Sequence, residues 1–253
     1  MTTRSRLTSA RTAGVLYAVI VACGLFAELA VRQRLIEAGD PAATARNIAD
    51  SPVLFRLGLT ADIVMFLADV AIAVVLYQLF RPVDRTRSLL AAAFRMTQTA
   101  VIGLNLLNML QAVRIVDDID YLDGLPSGQA DAMALLSLDA HRYGYVLGLA
   151  FFGVSTVLVG TLARRSGRVP RALAALLVLA GLGYLADTFC FFAIPGYDGA
   201  ASPIVLAPAL VAELWFAVWL LTRGHRLDEL GERTTTESAA PAAPAAALIG
   251  ASA

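Results

Sequence analysis

Hydrophobic and charged residues are segregated along this chain into long blocks. Six stretches, near residues 13–31, 57–80, 89–113, 133–162, 172–192 and 203–222, are apolar and almost free of charge. A helix of roughly 20 residues crosses a hydrocarbon core, and each block is about that long or longer. The pattern predicts an all-α, polytopic integral membrane protein with six transmembrane helices. Between the first two blocks Asp40 is placed as an N-cap and Pro41 as the first helical residue, with a stop before Pro52. That spacing predicts a short surface helix. From about Asp228 the sequence becomes "ESAAPAAPAAALIGASA", a composition expected to stay disordered. The chain therefore divides into a short segment over 1–12, a membrane domain over 13–226 and an Ala/Pro-rich tail over 227–253.

Composition agrees with this division. Hydrophobic residues make up 58% of the 253 positions and charged residues 16%, where a soluble domain carries about 25% charge. The mean hydropathy is +0.69. All 20 basic residues are arginine, which together with the abundance of alanine points to a GC-rich bacterial genome. The arginines also orient the chain. Arg4, Arg6, Arg11, Arg81, Arg85, Arg87, Arg164, Arg165, Arg168, Arg171, Arg223 and Arg226 flank the spans on one side, against Arg32, Arg34, Arg46, Arg56 and Arg114 on the other. The positive-inside rule then places both termini in the cytoplasm, in a bacterial inner membrane, with the acidic connection "DDIDYLDGLPSGQAD" outside.

Several other classes are disfavoured. Cys23 and Cys190 both fall inside spans and lack CxxC spacing, so neither a disulfide framework nor a zinc ribbon is indicated. Arg4, Arg6 and Arg11 followed by "IVAC" resemble a lipoprotein signal, but the apolar run continues past Cys23 to Val31, and a retained first helix is expected. No basic patch interleaved with aromatics points to nucleic acid.

The informative residues are the polar ones inside the spans: Glu28, Asp62, Asp69, Arg95, Asp139, His141, Arg142, Asp187 and Glu213. A charge at the bilayer centre costs about 2.5–3.5 kcal/mol, so most of these must face the bundle interior. At about 1.5 Å of rise per residue, Glu28, Asp62, Asp139 and Asp187 lie within roughly 10 Å of the outer boundary. His141, Asn105 and Glu213 come at roughly 12–15 Å, and Asn108 adds hydrogen-bonding capacity on the same helix as Asn105. An acid-lined polar cavity opening outward is expected from this convergence. Arg95 and Arg142 leave the six carboxylates well in excess, which requires protonation, hydration or a bound cation. Deeper in, Asp69 is expected to pair with Arg95, with Glu213 as the competing partner. On the fourth helix Asp139, Arg142 and Tyr143 share one side, while His141, Gly144 and Gly148 lie on the other. Polar groups on both sides predict a helix surrounded by protein. His141 reads as a buried hydrogen-bonding histidine rather than a metal ligand. With no H-E-x-x-H, G-x-S-x-G or P-loop, no catalytic residue, metal or cofactor is assigned.

The ordered segments "AGVLYAVIVACGLFAEL", "FRLGLTADIVMFLADV", "LYQLFRPV", "FRMTQTAVIGLNLLN", "LDAHRYGY", "GLGYLADTF" and "PALVAELWFAVWLL" resemble the bacterial domain-of-unknown-function family 4386. The resemblance covers roughly residues 11–222 and leaves out the Ala/Pro-rich tail. It implies a bacterial multi-pass membrane protein and brings no activity or catalytic residue with it. The residues themselves suggest a protein embedded in the lipid bilayer that binds or moves a small cationic or protonatable solute. Two alternatives stand beside this: an intramembrane metal-assisted hydrolase using His141 and carboxylates, and a passive structural or accessory subunit. A continuous polar path would favour the first reading, a point where His141 meets two carboxylates the second, and separate dry pairs the third.

Overall fold

A computed structural model of the protein describes residues 9–117, 124–126, 128–197 and 202–230. The N-terminal residues before Ser9, most of the acidic connection and the tail beyond Leu230 lie outside the described residues. Among the described residues every regular element is helical. We number them α1 (Ser9–Leu35), α2 (Pro41–Asp50), α3 (Pro52–Phe80), α4 (Arg85–Val116), α5 (Gln129–Ser166), α6 (Arg171–Ala193) and α7 (Ser202–Arg223). Of these, α1, α3, α4, α5 and α6 are long and apolar enough to cross a membrane. Helical structure continues through 225–230, where Leu227 is buried in the core.

The helix boundaries have local causes. Asp40 caps α2 by accepting from the Ala43 N–H at 2.9 Å, with Pro41 in the first turn. Asp84 caps α4 in the same way, accepting from the Arg87 N–H at 3.0 Å. Helix α5 stops at Gly167, whose φ of +65° is the left-handed conformation that glycine adopts without a Cβ clash. The following Pro170 suits the entry to α6.

The six long helices form a closed ring. Each packs against its neighbour in the chain, and α7 packs back onto α1. Short connections at 81–84 and 167–170 force antiparallel neighbours. Because the ring has an even number of members, the first and last described helical segments meet: the Ala10 N–H donates to Asp228 Oδ1 at 3.3 Å. Arg168 reaches Glu229 at 3.3 Å at the same end. Helix α2 lies at the other end and packs against α5, α4 and α3.

Apolar cores close both ends of the ring. One contains Tyr17, Leu76, Phe80, Leu162, Phe216 and Leu220. The other contains Val31, Ile48, Phe55, Met109, Val113 and Leu138. Glycines set the tightest helix contacts, as in lipid bundles generally. A Cβ on Gly148 of α5 would lie 2.3 Å from the Ile102 side chain of α4, and one on Gly181 of α6 would lie 2.6 Å from the Gly153 carbonyl of α5. Helix α5 is not enclosed on all sides, contrary to the expectation from its polar pattern. Leu136 is 68% exposed, Tyr143 51% and Leu147 47%. Aromatic partners account for the outward polar side, since Tyr143 and Arg142 rest against Phe191 of α6.

Candidate functional site

Polar residues on the inner faces of the helices collect in two layers within the ring. The layer nearer α2 is built around Arg32, a residue the sequence pattern assigned to the loop after the first span. The last turns of α1 instead run as a π-helix from Phe26 to Arg32 and continue helically to Leu35. Such wide turns occur often at functional sites. Arg32 thereby points into the ring, with only 12% of its side chain exposed. Its Nη1 donates to Asp62 Oδ2 at 2.7 Å and its Nε to Glu28 Oε2 at 2.9 Å. The guanidinium also lies 3.9 Å from Met109 Sδ and 6.0 Å from the centre of the Tyr145 ring. One side chain from α1 thus touches α3, α4 and α5.

Next to Arg32, His141 of α5 meets Asn105 of α4. Asn105 Nδ2 donates to the His141 carbonyl at 2.6 Å and lies 3.2 Å from His141 Nδ1. The asparagine's own oxygen accepts from Asn108 Nδ2 at 2.8 Å. This contact is close because Gly144 faces Asn105 without a side chain. Two buried atoms of this layer, His141 Nε2 and Asp62 Oδ1, have no hydrogen-bond partner among the described residues. A cavity of about 470 Å³ lies beside them, lined by Glu28, Arg32, Asp139, His141, Arg142 and Tyr145 among others. Its lining carries two guanidiniums and two carboxylates, where a purely acidic wall was expected. The difference arises because Arg32 was counted as an aqueous loop residue, although it is the counter-charge of Glu28 and Asp62.

The second layer is deeper in the ring. Arg95 of α4 donates from Nε to Asp69 Oδ1 of α3 at 2.9 Å, and from Nη2 to the same oxygen. Nη1 donates to the Tyr17 hydroxyl of α1 at 3.2 Å. The guanidinium is sandwiched between the Tyr17 and Phe152 rings, 5.1 and 5.0 Å from their centres, where cation–π attraction adds to the ion pair. Asp69 Oδ2 accepts from Thr99 at 3.3 Å and, with the Gln98 amide turned to donate, from Gln98 at 3.0 Å. Glu213 of α7 does not join this pair. Its Oε1 accepts from the Tyr184 hydroxyl at 2.8 Å. These groups surround a second cavity of about 160 Å³, which Tyr145 also borders. On the other side of Arg95 lies a small space of about 10 Å³, between Leu76, Phe80, Ser88 and Ser155.

Asp187 is set apart from both layers. It is buried on α6 and accepts from the Tyr197 hydroxyl at 2.6 Å. Among the described residues no three His, Cys, Asp or Glu side chains are grouped closely enough to hold a metal ion. The residues missed by sequence reasoning are Arg32 and the hydroxyl-bearing aromatics Tyr17, Tyr145 and Tyr184. Tyrosines in the middle of apolar spans were the available signal, since a buried phenol requires a partner.

Comparison with known proteins returns a single theme. A family model described as a domain of unknown function, DUF4386, matches residues 12–224. An uncharacterized protein of Archaeoglobus fulgidus is 28% identical over 185 residues, covering 70% of this chain and 94% of that protein. No solved structure matches.

Proposed function

The chain belongs to the DUF4386 family, and we propose that it binds or moves a small cationic or protonatable solute through the centre of its helix ring. In this reading it is a six-span protein of the bacterial cytoplasmic membrane, with α7 as the sixth span and both chain ends in the cytoplasm. The arginine-rich connections at 81–87 and 164–171 and the meeting of Ala10 with Asp228 support this orientation. The α2 end then faces outward. Glu28, Asp139 and His141 flank the mouth, Asp62, Asn105 and Asn108 brace it from behind, and Glu213 lies deeper. Asp187 contributes to the outer rim of α6 rather than to the route.

One observation carries this reading. Tyr145 borders both the outer and the inner cavity, which supports a route joining the two ionisable layers past its phenol. The space for about one water on the far side of Arg95 supports a form open outward and closed inward. A second reading has its own support: Arg32 and Arg95 each tie together several helices, as a purely structural device would.

Cysteine accessibility separates the two. In a variant with Cys23 and Cys190 replaced by alanine, a cysteine at Leu149, in the inner cavity, should react with a small impermeant thiol reagent added outside. It should react faster than a cysteine at outward-facing Val64, and Tyr145→Trp should slow it. Equal and slow reaction at both positions would leave the structural reading in place.

A further inference from the structure

The inner cavity has an unbalanced charge. Its charged lining groups are Asp69, Arg95 and Glu213. Asp69 and Arg95 neutralise one another, and the carboxylate of Asp69 is well engaged: Oδ1 takes two N–H groups of Arg95, while Oδ2 takes the Gln98 amide and lies 3.3 Å from the Thr99 hydroxyl, whose one hydrogen is shared with the Arg95 carbonyl at 2.9 Å. A carboxylate offers about four acceptor positions, and at least three of these are filled. Arg95 spends three of its five N–H donors on Asp69 and Tyr17, and two aromatic faces cover its plane. Glu213 is different. Its only hydrogen bond among the described residues is the one from Tyr184, on Oε1. The other oxygen remains free beside the cavity.

With one guanidinium for two carboxylates, the second carboxylate in a low-dielectric interior takes up a proton or a cation. The walls favour a particular kind of cation. A metal such as calcium requires six or more oxygen ligands, and magnesium a near-ideal octahedron, and among the described residues no three His, Cys, Asp or Glu side chains are grouped to hold such an ion. Instead, Tyr145, Phe152 and Tyr184 supply aromatic surface, Met65 a polarizable sulfur, and Ile20 and Leu149 aliphatic surface. Aromatic walls with a nearby anion are the arrangement that recognises quaternary and alkylated ammonium ions. The size is suitable too. At about 160 Å³ the cavity matches the roughly 150 Å³ that holds a benzene molecule in a protein interior.

We propose that the inner cavity is a binding site for a small organic ammonium ion, with Glu213 as its counter-charge and the rings of Tyr145 and Tyr184 as its walls. This rests on the solute-binding reading above and names the class of solute. The ion enters past Tyr145, comes to rest against the free oxygen of Glu213, and is kept from the far end by the packing below Arg95. Tyr184 orients the carboxylate by its hydrogen bond, leaving one oxygen directed at the ligand.

Tetramethylammonium chloride is the probe, titrated into the purified full chain in detergent, with sodium chloride and tert-butanol as controls. Saturable binding by calorimetry, with a matching rise in melting temperature, is expected for tetramethylammonium and for neither control. Glu213→Gln should weaken it at least tenfold. Leu149→Trp, which fills the cavity and keeps the carboxylate, should abolish it and serves if the glutamine variant does not fold. Undiminished binding in either folded variant would overturn the proposal. So would the absence of saturable binding to the unmodified chain, which would leave Glu213 holding a proton or water alone. The two readings fail separately. A reactive Leu149 cysteine without ammonium binding sinks this inference and spares the route, whereas binding with an unreactive cysteine does the reverse.

Discussion

A buried guanidinium shared between two carboxylates is most costly when it is removed alone. Arg32→Leu would leave Asp62, only 1% exposed, without its ionic partner. Breaking a buried pair from one side costs about 3–5 kcal/mol, while replacing both partners by apolar residues is often close to neutral. Arg32→Leu should therefore lower the melting temperature in detergent sharply, and Arg32→Leu with Asp62→Leu should recover most of the loss. If the single variant melts like the unmodified chain, Arg32 is not the support of the outer layer. The Asp69–Arg95 contact differs from Arg32 in how far sequence could reach it. Both residues sit well inside apolar runs on helices joined by a four-residue link, so depth and adjacency alone suggested their meeting. Arg32 stands where the apolar run ends. Only the π-helical turn, which no spacing of polar and apolar residues signals here, carries it inward.

At the scale of helices, α5 is the axis on which α4 and α6 are mounted, and small residues decide how closely each approaches. Gly144 and Gly148 face α4, while Gly153 and Gly160 face α6. The spacing of Gly144 and Gly148 was readable in the sequence, but the role of Gly153 and Gly160 was not, nor which neighbour each pair served. That depends on the rotation of α5 about its own axis, set by packing from both sides. Gly148→Ala would press a methyl group into the Ile102 side chain, which lies 2.3 Å from the position of the added carbon. Overpacking of this kind costs roughly 1–3 kcal/mol. Gly148→Ala should lower thermal stability, and Ile102→Val in the same chain should restore part of it. A failure of the second change to help would mean that the backbones separate, and that the α4–α5 spacing is softer than the contact implies. The neighbouring Asn105–His141 contact depends on the same spacing, so the outer cavity should change shape along with stability.

The whole molecule adds a constraint that neither residues nor helices provide singly. A ring of six antiparallel helices returns the chain to the end where it began, and the contact between Ala10 and Asp228 is that return. In the proposed orientation the arginines choose the side: Arg81, Arg85, Arg87, Arg164, Arg165, Arg168 and Arg171 lie in or beside the two connections at the end where Ala10 meets Asp228. The positive-inside rule favours the cytoplasm for such an arginine-rich end. Single cysteines in the Cys23→Ala, Cys190→Ala background provide the check. A cysteine at Ala38, beside α2 and on the rim of the outer cavity, should react with an impermeant thiol reagent in intact cells. A cysteine at Gly167, in the α5–α6 connection, should react only after the membrane is permeabilised. The reverse pattern would place the 470 Å³ cavity on the cytoplasmic side. The ring, its ion pairs and the ammonium site would survive that reversal, but the solute would then enter from the cytoplasm and the direction of movement argued from the arginines would be wrong.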